Sequence, residues 1–388
     1  MSKKEFDLQM NLMRRQAVGD FLKRSAARQP DKTAFVFRDK RFSYREFNAV
    51  VNKVAHALGD LGIKKGDVVA VMSQNCHQMA ILMWACFKIG AWYSPMNYLL
   101  RKGEITYQIN HAGAKIFFVE SALLNVVKEV ENELKAVKQY GLINLKGIDL
   151  PKGWVDFEDL FSNKYFDAEP EVIIEDSDVA SLIYTSGTTA APKGVMISNS
   201  SYFSQSLNFL NPEVAWFGLE DVYLMNIPLY HIGASSIMVA FIKQGATIIA
   251  TYGSDPMEML DLIQKDRITY LIWPPTLYAG MLGLPLRKYD LSSLKKLVWF
   301  GGSLPMNVFR EWKEICPQAI LMSHCSQTEI NITFTFGRYF EEPEGGNVIG
   351  KLSPDVELRL VDENDVDVPE GELGGSHCED PFRYAGLL

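Results

Sequence analysis

Short apolar runs alternate with helix-patterned stretches through most of this chain, and that alternation constrains its fold more than any other feature. Val68–Val71 and Ile116–Val119 read as short buried strands, and further strands are expected at 223–227, 247–250, 270–273, 297–300 and 319–322. Between them lie helical patterns such as 257–265 and 306–315. The stretch His77–Ile89 is apolar nearly all round, which predicts a helix buried on every side. Phe47, Val50, Val51, Val54 and Leu58 form a helical stripe that reads as plain core. Strands alternating with helices predict an α/β fold, in layers of mostly parallel sheet flanked by helices. The character changes near Phe334. From there to Pro369 the chain is rich in Gly, Pro, Asp and Glu around one strand, 357–361, which predicts a small β-rich subdomain at the C-terminal end. The expected division is therefore 1–333 for a large core, 334–374 for the subdomain and 375–388 for a tail.

The bulk numbers narrow the function classes. With 388 residues, 47% apolar and 22% charged, the chain is long enough for more than one core. A net charge of −8 without a basic stripe argues against a nucleic-acid partner. The longest strongly apolar stretch, 79–87, is too short to span a bilayer, and residues 1–15 lack an apolar signal core, so a cytoplasmic protein is expected. The five cysteines form no C-x-x-C and have no histidines at metal spacing, so no zinc site is expected.

One loop carries the chemistry. Tyr184-Thr185-Ser186-Gly187-Thr188-Thr189-Ala190-Ala191-Pro192-Lys193-Gly194-Val195 follows an apolar run, 180–184, that reads as a strand. It gathers hydroxyls, glycine and one lysine, the donors that a polyphosphate needs. Glycine lets the backbone come close to a phosphate because no Cβ intervenes. A P-loop kinase is excluded, since Lys193 precedes Gly194 where a Walker A motif places lysine directly after the second glycine.

The full pattern resembles the phosphate loop of the adenylate-forming (AMP-binding) superfamily: acyl-CoA synthetases, luciferases and the adenylation domains of peptide synthetases. The family usually writes T-S-G-T-T-G-x-P-K-G, and Ala190 replaces its third glycine here. Three more segments match in the expected order. Pro228-Leu229-Tyr230-His231-Ile232-Gly233-Ala234 resembles the family's P-L-[FY]-H-x-x-G. Trp299-Phe300-Gly301-Gly302-Ser303 resembles the turn beside the adenine and the acyl pocket. His324-Cys325-Ser326-Gln327-Thr328-Glu329 resembles G-Y-G-x-T-E. In the N-terminal third, 64–70 and 87–97 resemble the family's scaffold. The likeness runs from about Val18 to Gly374 and implies the acyl-CoA synthetase N-terminal domain fold.

What the resemblance implies about the site follows residue by residue. Thr185, Ser186, Gly187, Thr188, Thr189, Lys193 and Thr328 would hold the phosphates, with Gly302, Ser303, His324, Cys325 and Ser326 around the rest of the nucleotide. Glu329 and Thr188 would hold Mg²⁺, a hard ion suited to carboxylate and phosphate oxygens. His231, Gly233, Ala234, Phe300 and Gly301 would line the acid pocket, with His231, Lys193 and Glu329 as the catalytic set. Cys325 stands where the family's tyrosine stacks on adenine, and such stacking is worth roughly 1–3 kcal/mol per base. Tyr230 and Phe300 are the candidate substitutes.

The implied reaction is ATP- and Mg²⁺-dependent activation of a carboxylic acid to an acyl-adenylate, then transfer to coenzyme A. Amino-acid-activating relatives carry an aspartate near the place of Ile232, so a fatty or aryl acid is expected instead. A non-catalytic nucleotide- or acyl-binding module of the same fold is the alternative, and assembly as a homodimer stays open. The family text continues after Gly374 as G-E-[IL]-G-E-I-x-x-R-G-P, whereas this chain reads Gly375-Ser376-His377-Cys378-Glu379-Asp380-Pro381. One codon choice for 375–381, GGA-TCG-CAT-TGC-GAG-GAC-CCC, becomes E-I-A-L-R-G-P when a single A follows its first G. The expectation is a one-base deletion, a foreign and disordered tail, loss of the family's small C-terminal domain and impaired activity.

Overall fold

The computed structural model of the chain describes residues 2–162, 164–185, 191–212, 214–215, 217–331, 333–339, 350–371, 375–379 and 386–387. Among these, two large sheets carry the architecture. The first runs edge to edge as Gly386–Leu387, Lys193–Ser198, Val179–Thr185, Trp92–Met96, Val68–Met72, Ile116–Glu120, Gln139–Ile143 and Val155–Asp156. The second runs as Lys351–Leu352, Thr333–Tyr339, Ile320–Ser326, Lys296–Phe300, Tyr270–Trp273, Val222–Met225, Thr247–Ala250, Thr33–Phe37 and Lys40–Ser43. The interior of each sheet is parallel, and antiparallel pairs occur towards the edges. Parallel pairing demands a crossover between strands, and helices supply it.

The face alternation of the strands explains the layering. Val69, Val71, Ile116 and Phe118 of the first sheet share one core with Tyr223, Met225, Tyr270 and Ile272 of the second. Helices Gly19–Arg28, Tyr44–Asp60, His77–Ile89, Asn199–Leu210 and Ile232–Gln244 fill the space between. The opposite faces have cores of their own. Leu224, Leu271, Trp273 and Leu297 pack beneath helices Pro256–Lys265 and Met306–Ile315. Val68, Ala70, Met72 and Phe117 pack beneath helix Lys102–Ala112. The result is helix, sheet, helix, sheet, helix. A strand buried on both faces reads as an unbroken apolar run, which is the pattern seen in the sequence. All thirteen residues of His77–Ile89 are buried, as its all-round apolarity predicts.

Two expectations differ from the structure. Thr333–Tyr339 and Lys351–Leu352 extend the second large sheet, so position 334 falls inside a strand of the core and marks no break in it. The separate β piece is Glu357–Val361 paired antiparallel with Gly375–Glu379. The described parts of the expected tail are therefore strands: Gly375–Glu379 in that pair, and Gly386–Leu387 against Lys193–Ser198. Backbone pairing needs no particular side chains, so an atypical sequence can still complete a sheet edge. No described helix is long and apolar enough to cross a membrane.

Parallel strands end at one edge of their sheet, and ligands of open α/β sheets bind beyond those carboxyl ends. Each motif lies there. The phosphate-loop segment follows Val179–Thr185, and the His231 segment follows Val222–Met225. The Gly301 turn follows Lys296–Phe300, and Thr328–Glu329 follow Ile320–Ser326.

Candidate active site

The two ends of the phosphate segment lie on paired strands of a β-hairpin. Val179–Thr185 pairs antiparallel with Lys193–Ser198, setting Thr185 opposite Lys193 and Tyr184 opposite Gly194. Among the described residues the buried Thr185 Oγ1 finds no hydrogen-bond partner, a costly state for a hydroxyl unless a ligand satisfies it. Lys193 is exposed. Ser186, Gly187, Thr188 and Thr189 lie outside the described residues. Helix Lys102–Ala112 braces the hairpin base. The Tyr107 hydroxyl donates to the Pro192 carbonyl at 3.1 Å, and His111 Nδ1 lies 2.8 Å from the Tyr184 hydroxyl. Tyr107 also stacks on His111, and burial pushes the Tyr184 phenol up, keeping it neutral.

His231 caps the start of helix Ile232–Gln244 through its backbone, whose carbonyl accepts from the Ala234 N–H at 3.1 Å. Its ring lies 4.4 Å from that of Tyr230 and remains exposed. Partial desolvation still holds its pKa below the usual value, so the imidazole is neutral near pH 7. Asn75, at the end of a strand in the other sheet, fixes this segment. Its carboxamide donates to the Ile227 carbonyl at 3.0 Å and accepts from the Leu229 N–H at 2.8 Å. Ala234 is buried. A Cβ placed on Gly233 would meet nothing within 4 Å, so open space lies beside it.

Gly301 has φ +75°, a left-handed conformation that favours glycine, and a Cβ there would also face open space. Gly302 and Ser303 are exposed, and Phe300 is half-buried against the central core. His324 sits opposite Phe300 in the sheet and is buried, with Nε2 3.2 Å from the Val214 carbonyl and its ring against Phe209. Burial drives its pKa down to about 4. Its described partners are thus protein groups. Cys325 is half-buried, and burial pushes its thiol up; Ser326 is exposed.

Thr328 and Glu329 are half-buried in a turn that closes as the N–H groups of Ile330 and Asn331 donate to the Gln327 carbonyl. Asn331 takes φ +51°, which asparagine tolerates better than most residues. Its carboxamide donates to Ser201 Oγ at 3.1 Å and accepts from Ser236 Oγ at 2.6 Å. Gln205 accepts from the Thr333 N–H at 2.9 Å. Ser201 lies on the helix after the Lys193 strand, and Ser236 on the helix that His231 begins. One buried polar network therefore ties the helix that follows the Lys193 strand to the helix that His231 begins and to the turn carrying Glu329. No described contact joins those three side chains directly. Sequence reasoning missed Asn75, Ser201, Gln205, Ser236 and Asn331. The one available signal was an asparagine two residues after Thr328-Glu329, at a place where a strand must turn.

A family model described as AMP-binding enzyme matches residues 22–378. The chain belongs to the AMP-binding enzyme family. Among its relatives, a long-chain-fatty-acid–CoA ligase of Bacillus subtilis strain 168 is 31% identical over 324 residues, covering 75% of this chain and 56% of its own length. A 4-coumarate–CoA ligase of Arabidopsis thaliana is 26% identical over 331 residues, covering 83% and 58%. This chain thus spans less than three-fifths of either relative. The crystal structure of an anthranilate CoA ligase in complex with anthranoyl-AMP superposes with a TM-score of 0.89 at 24% identity, over 96% of this chain and 71% of that one. That likeness establishes the acyl-CoA synthetase N-terminal domain fold for this AMP-binding family member.

Two measurements check the account of the site. Asn331→Ala loses two hydrogen bonds and strains a left-handed residue, so chemical denaturation should show a loss of about 2–3 kcal/mol. Asn331→Gly, free of the strain, should lose about 1 kcal/mol less. Secondly, buried His324 holds fewer protons folded than unfolded between its folded pKa of about 4 and the ordinary histidine value of 6.5. Stability therefore rises with pH across that window, and falls on acidification by on the order of 3 kcal/mol. His324→Gln should flatten that part of the stability–pH curve.

Proposed function

We propose that this chain binds ATP and a fatty or aryl acid and activates the acid as its acyl-adenylate, for transfer to coenzyme A. The observation that carries the reading is one buried network at the strand ends, which joins the helix following the Lys193 strand, the His231 helix and the Thr328–Glu329 turn. The relatives are CoA ligases acting on fatty and aryl acids, by their names.

The residues fit the groups such a reaction needs. Thr185 Oγ1 is a buried donor in need of an acceptor, and a phosphate oxygen would supply it. Lys193, opposite it on the hairpin, would offset charge on the phosphates, helped by the loop residues Ser186 to Thr189. Among the described residues no three His, Cys, Asp or Glu side chains gather as a metal cage. Mg²⁺ is commonly held by one or two carboxylates together with substrate phosphates, and Glu329 would be such a carboxylate, with Thr188 beside it. Thr328 would donate to a phosphate oxygen, and Gly302, Ser303, Cys325 and Ser326 would surround the nucleoside, with His324 supporting that wall from within.

The open space at Gly233 and Gly301 gives the acid somewhere to lie, flanked by Phe300, Ala234 and His231. A neutral His231 there adds no fixed charge to pull the carboxylate away from the α-phosphorus. The carboxylate oxygen then attacks in line, the bond to pyrophosphate breaks, and the thiol of coenzyme A later displaces AMP. Catalysis of this kind is positioning plus charge stabilisation.

Acid-dependent ATP–pyrophosphate exchange with a panel of carboxylic acids tests the reading. Exchange should appear with fatty or aryl acids and fall about 10²–10³-fold in Glu329→Gln. Gly233→Trp should abolish the response to bulky acids while sparing Mg-ATP binding. Mg-ATP binding without exchange for any acid would favour a non-catalytic binding module instead.

A further inference from the structure

A pocket of about 560 Å³ lies far from the motifs, between the C-terminal ends of helices Gly19–Arg28 and Ile232–Gln244 and the end of Asn199–Leu210. Helix Ile232–Gln244 separates it from His231 by about 18 Å, at 1.5 Å per residue. Phe21, Ala27 and Leu210 give it an apolar wall, and Arg24, Arg28 and Lys243 give it three cations. No described carboxylate pairs with any of the three. Arg24 donates to the Arg15 carbonyl and Gln16 Oε1, and Arg28 to Ser25 Oγ and the Lys243 carbonyl. Lys243 Nζ donates to Ser206 Oγ at 2.7 Å and lies 4.3 Å from the Phe203 ring centre and 4.9 Å from that of Phe21.

Helix-end electrostatics accounts for part of this. A cation at a helix C-terminus offsets the partial negative charge of the last carbonyls, and Arg28 does so at the Lys243 carbonyl. The Lys243 ammonium is a different case, directed to two aromatic faces and one hydroxyl. Burial, with Arg24 nearby, lowers its pKa to about 8. Crowding positive charges beside a desolvated ammonium is unfavourable unless an anion joins them. The pocket volume falls within the range of about 300–1,000 Å³ usual for small-molecule sites.

We propose that this pocket is a second ligand site, which takes a small amphipathic anion: a phosphate or carboxylate head on Arg24, Arg28 and Lys243, and an apolar tail along Phe21, Ala27 and Leu210. The anion forms charge-assisted hydrogen bonds with the guanidinium groups, and the tail covers the apolar surface left open at Ala27 and Leu210, above the buried Phe21. The site stands independently of the reaction proposed above.

Isothermal titration with octyl phosphate, octanoate and inorganic phosphate tests it on the full chain. Octyl phosphate should bind at least tenfold more tightly than inorganic phosphate, and comparison with octanoate decides which head group is preferred. Affinity should fall tenfold or more in Arg24→Gln/Arg28→Gln and in Lys243→Met, and remain unchanged in Gly233→Trp, which fills the space near His231. Melting curves confirm that each variant is folded. Lys243→Met keeps its apolar stem and serves alone if the double variant does not fold. Binding that survives loss of the cations, that disappears in Gly233→Trp, or that inorganic phosphate matches would overturn the proposal.

Discussion

The Asn331 carboxamide is the tie on which the functional end of this molecule depends. One side chain satisfies hydroxyls from two different helices while its own backbone turns the chain after Glu329. Each bond adds only about 1 kcal/mol net, but leaving any of these buried groups unpaired costs more than its bond contributes. The network therefore restricts the arrangement more than it stabilises the fold. Slide one helix by a turn and Ser201 or Ser236 loses its partner. Buried polar networks are exacting in this way, because low surrounding polarity strengthens satisfied bonds and penalises missing ones alike.

The layering gives that tie its leverage. Helices Asn199–Leu210 and Ile232–Gln244 lie in the layer shared by the two sheets, so fixing them fixes both sets of strand ends. Asn75 repeats the device from the other side, crossing from one sheet to the segment before His231. Glu120 adds a third crossing. It is buried, accepts from the Gln74 N–H at 2.9 Å in its own sheet, and accepts from the Tyr252 hydroxyl at 2.5 Å beyond the other. Burial, with that contact, raises the Tyr252 phenol to about 12. Two sheets joined only by apolar packing could slip, because apolar contact is not directional. Three polar crossings at the strand ends prevent that where a ligand would need it.

Much of this was legible in the sequence, for physical reasons that apply element by element. His77–Ile89, 247–250, 270–273 and 306–315 were readable because buried elements carry unbroken or periodic apolar patterns. Trp92–Met96 was harder to read as a strand because Pro95 offers no N–H to a ladder. Pro95 nonetheless stands opposite Val71 in the ladder with Val68–Met72, while the described pairing to Val179–Thr185 is Tyr93 opposite Ser181. The strand Thr333–Tyr339 straddles the expected boundary at 334, because the Gly-, Pro-, Asp- and Glu-rich stretch begins directly after it and nothing local marks it as part of the core sheet. Sheet membership depends on partners distant in sequence, which composition does not encode. The motif segments were found through resemblance; the asparagines and serines that hold them were not. A carboxamide bonding across a layer leaves no period in the sequence.

Hydrogen exchange of backbone amides, with and without Mg-ATP and a carboxylic acid, tests the central claim most directly. If the hairpin, the start of the His231 helix and the turn after Ser326 form one site, amides in 185–194, 228–234 and 326–333 should gain protection together. Protection of the hairpin alone, or of segments elsewhere on the molecule, would contradict the account.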